Sequence, residues 1–404
     1  MSAPICIMLV AGEASGDALG AQLARALKRR LGDRAVRFVG VGGEQMASEG
    51  VESPFDYRQV TVLGFFEGLL AYPRIVARVR DTVALAQREK PDIAVLIDSW
   101  GFTLRVAQGL KHADPALPVV KYVGPQVWAS RPGRARTLAK TVDHLLSIHA
   151  FDAPFFEREG LATTFVGNPA LARDLARADG ARLRARLGGD PDDPILLVLP
   201  GSRRGEIEWV APAFFQAMSR LKAERPKLRL VIPVAPTVAE RVKAAVAGLD
   251  VPVFLIEDEA LKYDAMKAAT VALACSGTVT TELALAGCPM VVGYRVGKIT
   301  YPILRLMIRT PYITLFNIAA KAFVAPELLQ ADCNGPALAQ AVAERLDDPD
   351  LRARQIAGQF AALEKMGKGG PDPSERAAEV VARMLEARAS TRSLPRPTQH
   401  DEEF

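Results

Sequence analysis

From residue 5 onward, short apolar runs ending in Gly, Ser or Pro alternate with stretches whose apolar positions recur at helical spacing. ICIMLVAGE, VRFVGVGG, DIAVLIDSW, PVVKYVGP, HLLSIHA and TTFVGNP are apolar through their centres. Parallel strands covered by helices on both faces require that continuity, whereas a half-exposed strand alternates. These runs predict six strands of one doubly wound half. A second series, ILLVLPGSR, LRLVIPVAP, VPVFLIED, VALACSG and MVVGYRV, predicts five strands of another. The stretch GNPALARDLARADG at 167–180 separates the two series and reads as a linker. Past 335 the spacing is helical only, as far as Ala387, and SLPRPTQHDEEF closes the chain with a composition that predicts disorder. The expected fold class is therefore α/β, with two tandem Rossmann-like doubly wound domains. The expected boundaries are 1–170 and 171–370, then a helix at 371–389 and a tail at 390–404. Ligands are expected in a cleft between the domains, at the carboxyl ends of both sets of strands.

Composition narrows this picture. A chain of 404 residues is long enough for two cores, and 49 % apolar with 24 % charged residues is the balance of a soluble globular protein. No stretch approaches the roughly 18 uncharged apolar residues that a membrane-spanning helix needs. The start, MSAPICIMLVAGEASGD, has no basic leader and runs straight into a Gly-rich turn, so a first strand and a cytoplasmic location are expected. Cys6, Cys275, Cys288 and Cys333 form no C-x-x-C pair and read as reduced. His144 and His149 make no ligand spacing with them, so no metal is expected. The net charge of +5 favours anionic partners.

The common nucleotide fingerprints are missing: Gly12, Gly16 and Gly20 are not spaced as G-x-G-x-x-G, and G-x-x-x-x-G-K-[ST] does not occur. Two other strand-to-helix turns stand out. In ILLVLPGSRRGEIEWV, Gly201 and Ser202 make the turn beside Arg203, so that free backbone N–H groups and a fixed cation converge as a diphosphate site would need. A tight turn with solvated arginines is the competing reading. In VALACSGTVTTELALAGCPMVV, Ser276, Gly277 and Thr278 precede a helix carrying Glu282, placed to accept hydrogen bonds from ribose hydroxyls. Capping by Ser276 or Thr278, with Glu282 complementing the helix dipole, competes with that.

Two Rossmann-like domains with these turns resemble a two-domain nucleotide-sugar glycosyltransferase of the GT-B type. AGEASGD at 11–17, IDSWGF at 97–102, VGPQVWASRPGR at 123–134, LPGSRRGEI at 199–207, CSGTVTTELAL at 275–285, CPMVVGYRV at 288–296 and PELLQADC at 326–333 together resemble the lipid-A-disaccharide synthase family. Two positions depart from its pattern: Phe316 stands where proline is expected before Asn317, and Lys321 where glycine is. The resemblance implies transfer of diacylglucosamine from a UDP-diacylglucosamine donor to the 6-hydroxyl of a diacylglucosamine 1-phosphate acceptor, forming a β-1,6 linkage. It implies no cofactor, no nucleic acid, a peripheral place on the inner face of the inner membrane, and possible homo-oligomers. Competing readings are a UDP-sugar epimerase, a GT-B transferase with another lipid acceptor, and a non-enzymatic lipid-binding module.

An inverting transfer needs one base and a means of stabilising the leaving UDP. Asp98, ending the strand DIAVLID, is expected to be the base, its pKa raised by the apolar run behind it; helix N-capping is the alternative. Glu13, Ser15 and Asp17 are expected to bind the acceptor, as are Gln126, Trp128 and Arg131. Gly201, Ser202, Arg203, Ser276, Gly277, Thr278, Glu282 and Asn317 are expected to bind the donor. The segment TVLGFFEGLLAYPRIVARVR at 61–80 remains. Ile75, Val76, Val79 and Val83 fall at helical spacing and read as core, whereas Gly64, Gly68 and Pro73 interrupt Leu63, Phe65, Phe66, Leu69, Leu70 and Tyr72. These six are expected to form an apolar lip contacting membrane or acyl chains, with Arg74, Arg78 and Arg80 meeting the phosphates of an anionic membrane surface.

Overall fold

The apolar runs become strands because the central ones are buried along almost their whole length, and helices between them return the chain so that the strands within each sheet run parallel. The computed structural model describes residues 4–32, 36–61, 65–172, 175–297, 301, 308 and 310–393, those at 65–71 and 391–393 by their backbone alone. The first sheet comprises β1 (Ile5–Ala11), β2 (Val36–Val41), β3 (Ile93–Ile97), β4 (Val119–Tyr122), β5 (His144–Ser147) and β6 (Thr163–Phe165), all parallel. Its order is β2-β1-β3-β4-β5-β6, so the winding reverses between β1 and β3. The second comprises β7 (Ile195–Leu199), β8 (Arg229–Pro233), β9 (Phe254–Ile256), β10 (Val271–Cys275), β11 (Met290–Tyr294) and β12 (Glu327–Leu329). Its order is β12-β11-β10-β7-β8-β9, reversing between β7 and β10. Only β12 is not foreshadowed by an apolar run, because it is three residues long and opens on a glutamate.

The chain divides into two compact units, Met1–Pro169 with Gly370–Phe404, and Ala170–Gly369. The helix expected at 371–389 spans Pro373–Ser393 and belongs to the first unit, so residues 390–393 are helical rather than tail. Its Ala377, Ala378 and Val381 are buried in the same cluster as Leu23 and Leu27 of the helix Ala14–Leu31, and Arg29 donates to Glu375. Residues 394–404 of the expected tail lie outside the described residues.

The segment around Pro73 corrects an expectation. The helix Phe65–Glu89 runs through both Gly68 and Pro73 instead of stopping there. Ile75, Val79 and Val83 lie against the core of the first unit, and that tertiary packing offsets the roughly 3 kcal/mol that an interior proline costs. Val76 is half-buried. Leu63 and the side chains of Phe65, Phe66, Leu69 and Leu70 lie outside the described residues. Tyr72 is exposed, with the Arg105 guanidinium 5.4 Å from its ring centre.

In the second unit, Phe316 is fully buried in the core, which accounts for an aromatic where proline was expected. Lys321 ends the helix Leu315–Ala320 at φ 55°, ψ 34°, the left-handed conformation that glycine adopts without strain. Its carbonyl accepts the Tyr312 hydroxyl at 2.8 Å, which holds it there. Lys321→Gly should keep the fold and raise the calorimetric midpoint of unfolding on the order of 2 °C, by relieving the crowding of Cβ less the entropy of glycine. A lower midpoint would show that Lys321 is not strained.

Candidate active site

In the first unit, β1 and β3 lie side by side and the chain leaves them in opposite directions, which opens a crevice at their carboxyl ends. The turn after β1 carries Glu13 and Ser15; the turn after β3 carries Asp98 and Ser99. The two turns approach so closely that a Cβ on Gly12 would stand 2.9 Å from the Ser99 hydroxyl oxygen. The Ser15 hydroxyl donates to the Asp98 carboxylate at 3.3 Å. Glu13 is half-buried, and its carboxyl is raised above the usual range, first by burial and then by the charge of Asp98, against a hydrogen bond from Ser99 and the charge of Lys121. Asp98 does not cap the helix Trp100–Ala113: Ser99 is the N-cap residue and makes no side-chain cap bond. Asp98 and Ser99 have φ of 49° and 42°, and Val123 and Arg131, beyond β4, have 69° and 50°. Left-handed non-glycine residues thus gather at the exits of two adjacent strands, as they do where a site over-determines its backbone.

Not every residue expected here is free to bind. Asp17 is buried, and its carboxylate accepts the backbone N–H groups of Gly43, Gln45 and Met46 at 2.7, 3.1 and 3.0 Å. It holds the start of the helix Glu44–Ala47 and has a structural task. Gln126 and Arg131 are exposed on the loop after β4. Trp128 is half-buried; its indole N–H donates to Asp152 at 2.8 Å, and its ring meets Phe151 edge-on at 5.2 Å. Burial pushes the Asp152 carboxyl up to about 7, against hydrogen bonds from Ser147 and Trp128.

In the second unit a cleft of about 470 Å³ spans the carboxyl ends of β7, β8, β9 and β10, again across the reversal of winding. Gly201, Ser202, Arg203, Ser276, Gly277, Thr278 and Glu282 all line it. Gly201 has φ 118°, and a Cβ there would stand 2.5 Å from Glu206 Oε2, so only glycine fits. The expectation of free N–H groups at this turn is corrected. Glu206 is buried and accepts from the N–H of Ser202 at 2.8 Å and of Arg203 at 3.1 Å. The Arg203 side chain is 81 % exposed despite a 3.4 Å contact with Glu206, so the cation, rather than the backbone, is presented. The other turn behaves oppositely: Gly277 is the N-cap of Thr278–Leu285 and no side chain caps that helix, so the capping roles considered for Ser276 and Thr278 are not taken up. Glu282 is buried and paired with Lys262 at 2.9 Å. Asn317 is fully buried and does not line the cleft: its amide donates to Ala325 O and Glu327 and accepts from the N–H of Val324 and Ala325.

The lipid-A-disaccharide synthetase family pattern matches residues 7–381. The lipid-A-disaccharide synthase of Rhodospirillum centenum is 42 % identical over 385 residues, covering 95 % of this chain and 96 % of that protein. That of Paramagnetospirillum magneticum is 43 % identical over 377 residues, covering 93 % and 96 %. The chain belongs to the lipid-A-disaccharide synthase family. Its activity is that of the family, a glycosyltransferase of lipid A biosynthesis. Among solved structures, MurG of Acinetobacter baumannii aligns with TM-score 0.54 and 14 % identity, covering 94 % of this chain and all (100 %) of that one. The UDP-GlcNAc 2-epimerase of Methanocaldococcus jannaschii aligns with TM-score 0.57 and 14 % identity over 94 % and 100 %. At such identity the likeness is one of fold, and the fold is GT-B.

The sequence reading of this lipid-A-disaccharide synthase family member passed over Glu206, Lys262 and Lys121. Glu206 was signalled by its place three residues after Arg203, where an acid reaches back to a turn. Lys121 was signalled as the one charge inside PVVKYVGP. Lys262 carried no local signal, since only the packing of its helix Glu259–Ala268 brings it to Glu282.

Because the fold raises the carboxyl of Glu13, the folded state binds a proton there more tightly than the unfolded chain does. The associated stability is present at acid pH and lost as pH rises through the raised value. Glu13→Gln should therefore melt above the wild type at neutral pH, with the gap closing as pH falls into the ordinary carboxylate range. Calorimetry across pH tests this; a variant that melts lower at neutral pH refutes it.

Proposed function

We propose that Asp98 is the base of the transfer. It takes the proton of the acceptor 6-hydroxyl as that oxygen forms its bond to the anomeric carbon of the donor sugar and the bond from that carbon to UDP breaks. Configuration inverts, giving the β-1,6-linked disaccharide, and the electron pair leaves with UDP. The observation that carries this reading is the convergence of Glu13, Ser15 and Asp98 at one strand-end crevice, with Ser15 hydrogen-bonded to Asp98. Glu13 and Ser15 orient the acceptor sugar beside Asp98, and Gln126, Trp128 and Arg131 extend that surface. In the second unit, Arg203 and the uncapped helix start at Thr278 meet the diphosphate, where charge develops as UDP departs, and Glu282 takes the ribose hydroxyls. We assign Asp17 and Asn317 to the fold, since their polar atoms are occupied.

The acylated substrates call for a membrane-facing surface, and the start of the helix Phe65–Glu89 supplies its chemistry. Leu63, Phe65, Phe66, Leu69, Leu70 and Tyr72 provide the apolar contact, and Arg74 and Arg80, both exposed, face anionic headgroups. Arg78 is excluded from that task by its 2.8 Å pair with Asp81 and its place 5.2 Å from the Phe55 ring centre. The protein then works peripherally on the bilayer; among the described residues no helix is long and apolar enough to cross it.

Asp98→Asn should lose about 100- to 10,000-fold in turnover while binding UDP as the wild type does. Activity within a few-fold, by mass-spectrometric product analysis with both acylated substrates, would move the base to Glu13. Arg203→Ala should instead weaken UDP binding in titration calorimetry. Replacing Phe65, Phe66, Leu69 and Leu70 together by serine should release the protein from anionic vesicles in flotation, each change removing up to about 1.5–3 kcal/mol of apolar transfer. Undiminished vesicle binding, or unfolding, would place these side chains in the core.

A further inference from the structure

A lysine is buried beneath the Asp98 corner. Lys121 lies in β4 opposite Leu96 of β3 and is 3 % exposed. A buried ammonium costs several kcal/mol unless its protons are matched by acceptors and opposing charge. Lys121 Nζ donates to the main-chain carbonyl of Asp98 and to the Thr103 hydroxyl oxygen, the latter at 2.7 Å. Thr103 in turn lies 2.7 Å from the same carbonyl. That carbonyl belongs to the first of two successive left-handed residues, Asp98 and Ser99, each costing roughly 1–2 kcal/mol relative to ordinary backbone. A corner of this kind persists only where something grips it; beside the main-chain bonds of Asp98 to Tyr122 and of Thr103 to Ser99, the side chains that grip it are Lys121 and Thr103.

We propose that Lys121 is a positioning residue for the transfer: it fixes the Asp98–Ser99 corner from below and supplies the buried positive charge that faces the Asp98 and Glu13 carboxylates. The charged groups facing it are Asp98 at the end of β3 and Glu13 at the end of β1, while the helix Trp100–Ala113 contributes the neutral Thr103. Burial brings the Lys121 ammonium down to about 7, and the two carboxylates pull it up. In the other direction the Glu13 carboxyl stays raised by burial and by the repulsion of Asp98, with Lys121 acting against both. The positive charge sits on the protein side of the crevice, opposite the acceptor hydroxyl, and the carboxylate assigned as base is kept aimed. The proposal rests on the assignment of Asp98 as base.

The test is the pH–rate profile of the full-length enzyme with both acylated substrates, for Lys121→Met, Lys121→Arg and Thr103→Val, with Asp98→Asn alongside. Lys121→Met should lower kcat by about 10- to 100-fold. KM for the donor and the affinity for UDP should stay within about threefold, since the donor groups lie in the other unit. The acid limb of the profile should move to higher pH, because a positive charge facing the crevice carboxylates is gone. Lys121→Arg should return that limb to its wild-type position. A lowered kcat with an unmoved limb marks a merely structural lysine and overturns the proposal, as does full turnover. If Lys121→Met fails to fold, judged by loss of a calorimetric unfolding transition, Thr103→Val decides: a several-fold lower kcat with the limb in place supports the grip, and wild-type kcat overturns it. Retained turnover in Asp98→Asn overturns the base assignment and the Lys121 proposal with it. Lost turnover there, together with an unmoved limb in Lys121→Met, overturns the Lys121 proposal alone.

Discussion

Burial of parallel strands on both faces is the constraint from which the rest follows. β1 and β3 are sealed almost from end to end, with Ile7–Ala11 and Ile93–Ile97 wholly inaccessible, so no polar side chain along them meets a ligand. Chemistry is pushed to the carboxyl ends, and it collects where neighbouring chains depart in opposite directions: after β1 and β3 in the first unit, after β7 and β10 in the second. Asp98 and Glu13 occupy the first such point; Arg203 and Thr278 occupy the second.

The same architectural opening is charged oppositely in the two units. In the first, two carboxylates are brought together and a buried ammonium is set beneath them, an arrangement suited to taking up a proton. In the second, Glu206 satisfies the turn's own N–H groups from inside, which leaves the Arg203 guanidinium projecting and the helix start at Thr278 open, an arrangement suited to an anion. A strand-end turn therefore has no chemistry of its own. Its character is set by which of its backbone groups the protein itself has already occupied.

This also explains what could be read from the sequence. Long apolar runs bounded by Gly, Ser and Pro report two-sided burial directly, so eleven of the twelve described strands were visible. The turns after β7 and β10 were visible because small residues beside an arginine or ahead of an acid are local patterns. Three things were not local. Pro73 argued for a break, and only the packing of Ile75, Val79 and Val83 overrides it. Asp17 lay in a motif shared with Glu13 and Ser15, yet one turn of helix carries it away from the crevice to the N–H groups at 43–46. Lys121 shows as a single charge in an apolar run, but its acceptors come from the turn after β3 and from another helix and are not local.

Asn317 shows how a residue in a family motif can serve a site that it does not touch. Its amide fixes Glu327 of β12 at 2.8 Å and ties the chain at 324 and 325. Glu327 then accepts the N–H of Ile313 and of Thr314, both at 2.9 Å, and the Thr314 hydroxyl at 2.7 Å. The carbonyl of Ile313 receives the Ser276 hydroxyl at 3.5 Å, and Ser276 lines the cleft of the second unit. A buried amide with all its capacity committed cannot also bind a nucleotide. It can hold the carboxylate that holds the loop against which the Ser276 turn rests, and the short strand β12, legible only as part of a motif, carries that carboxylate.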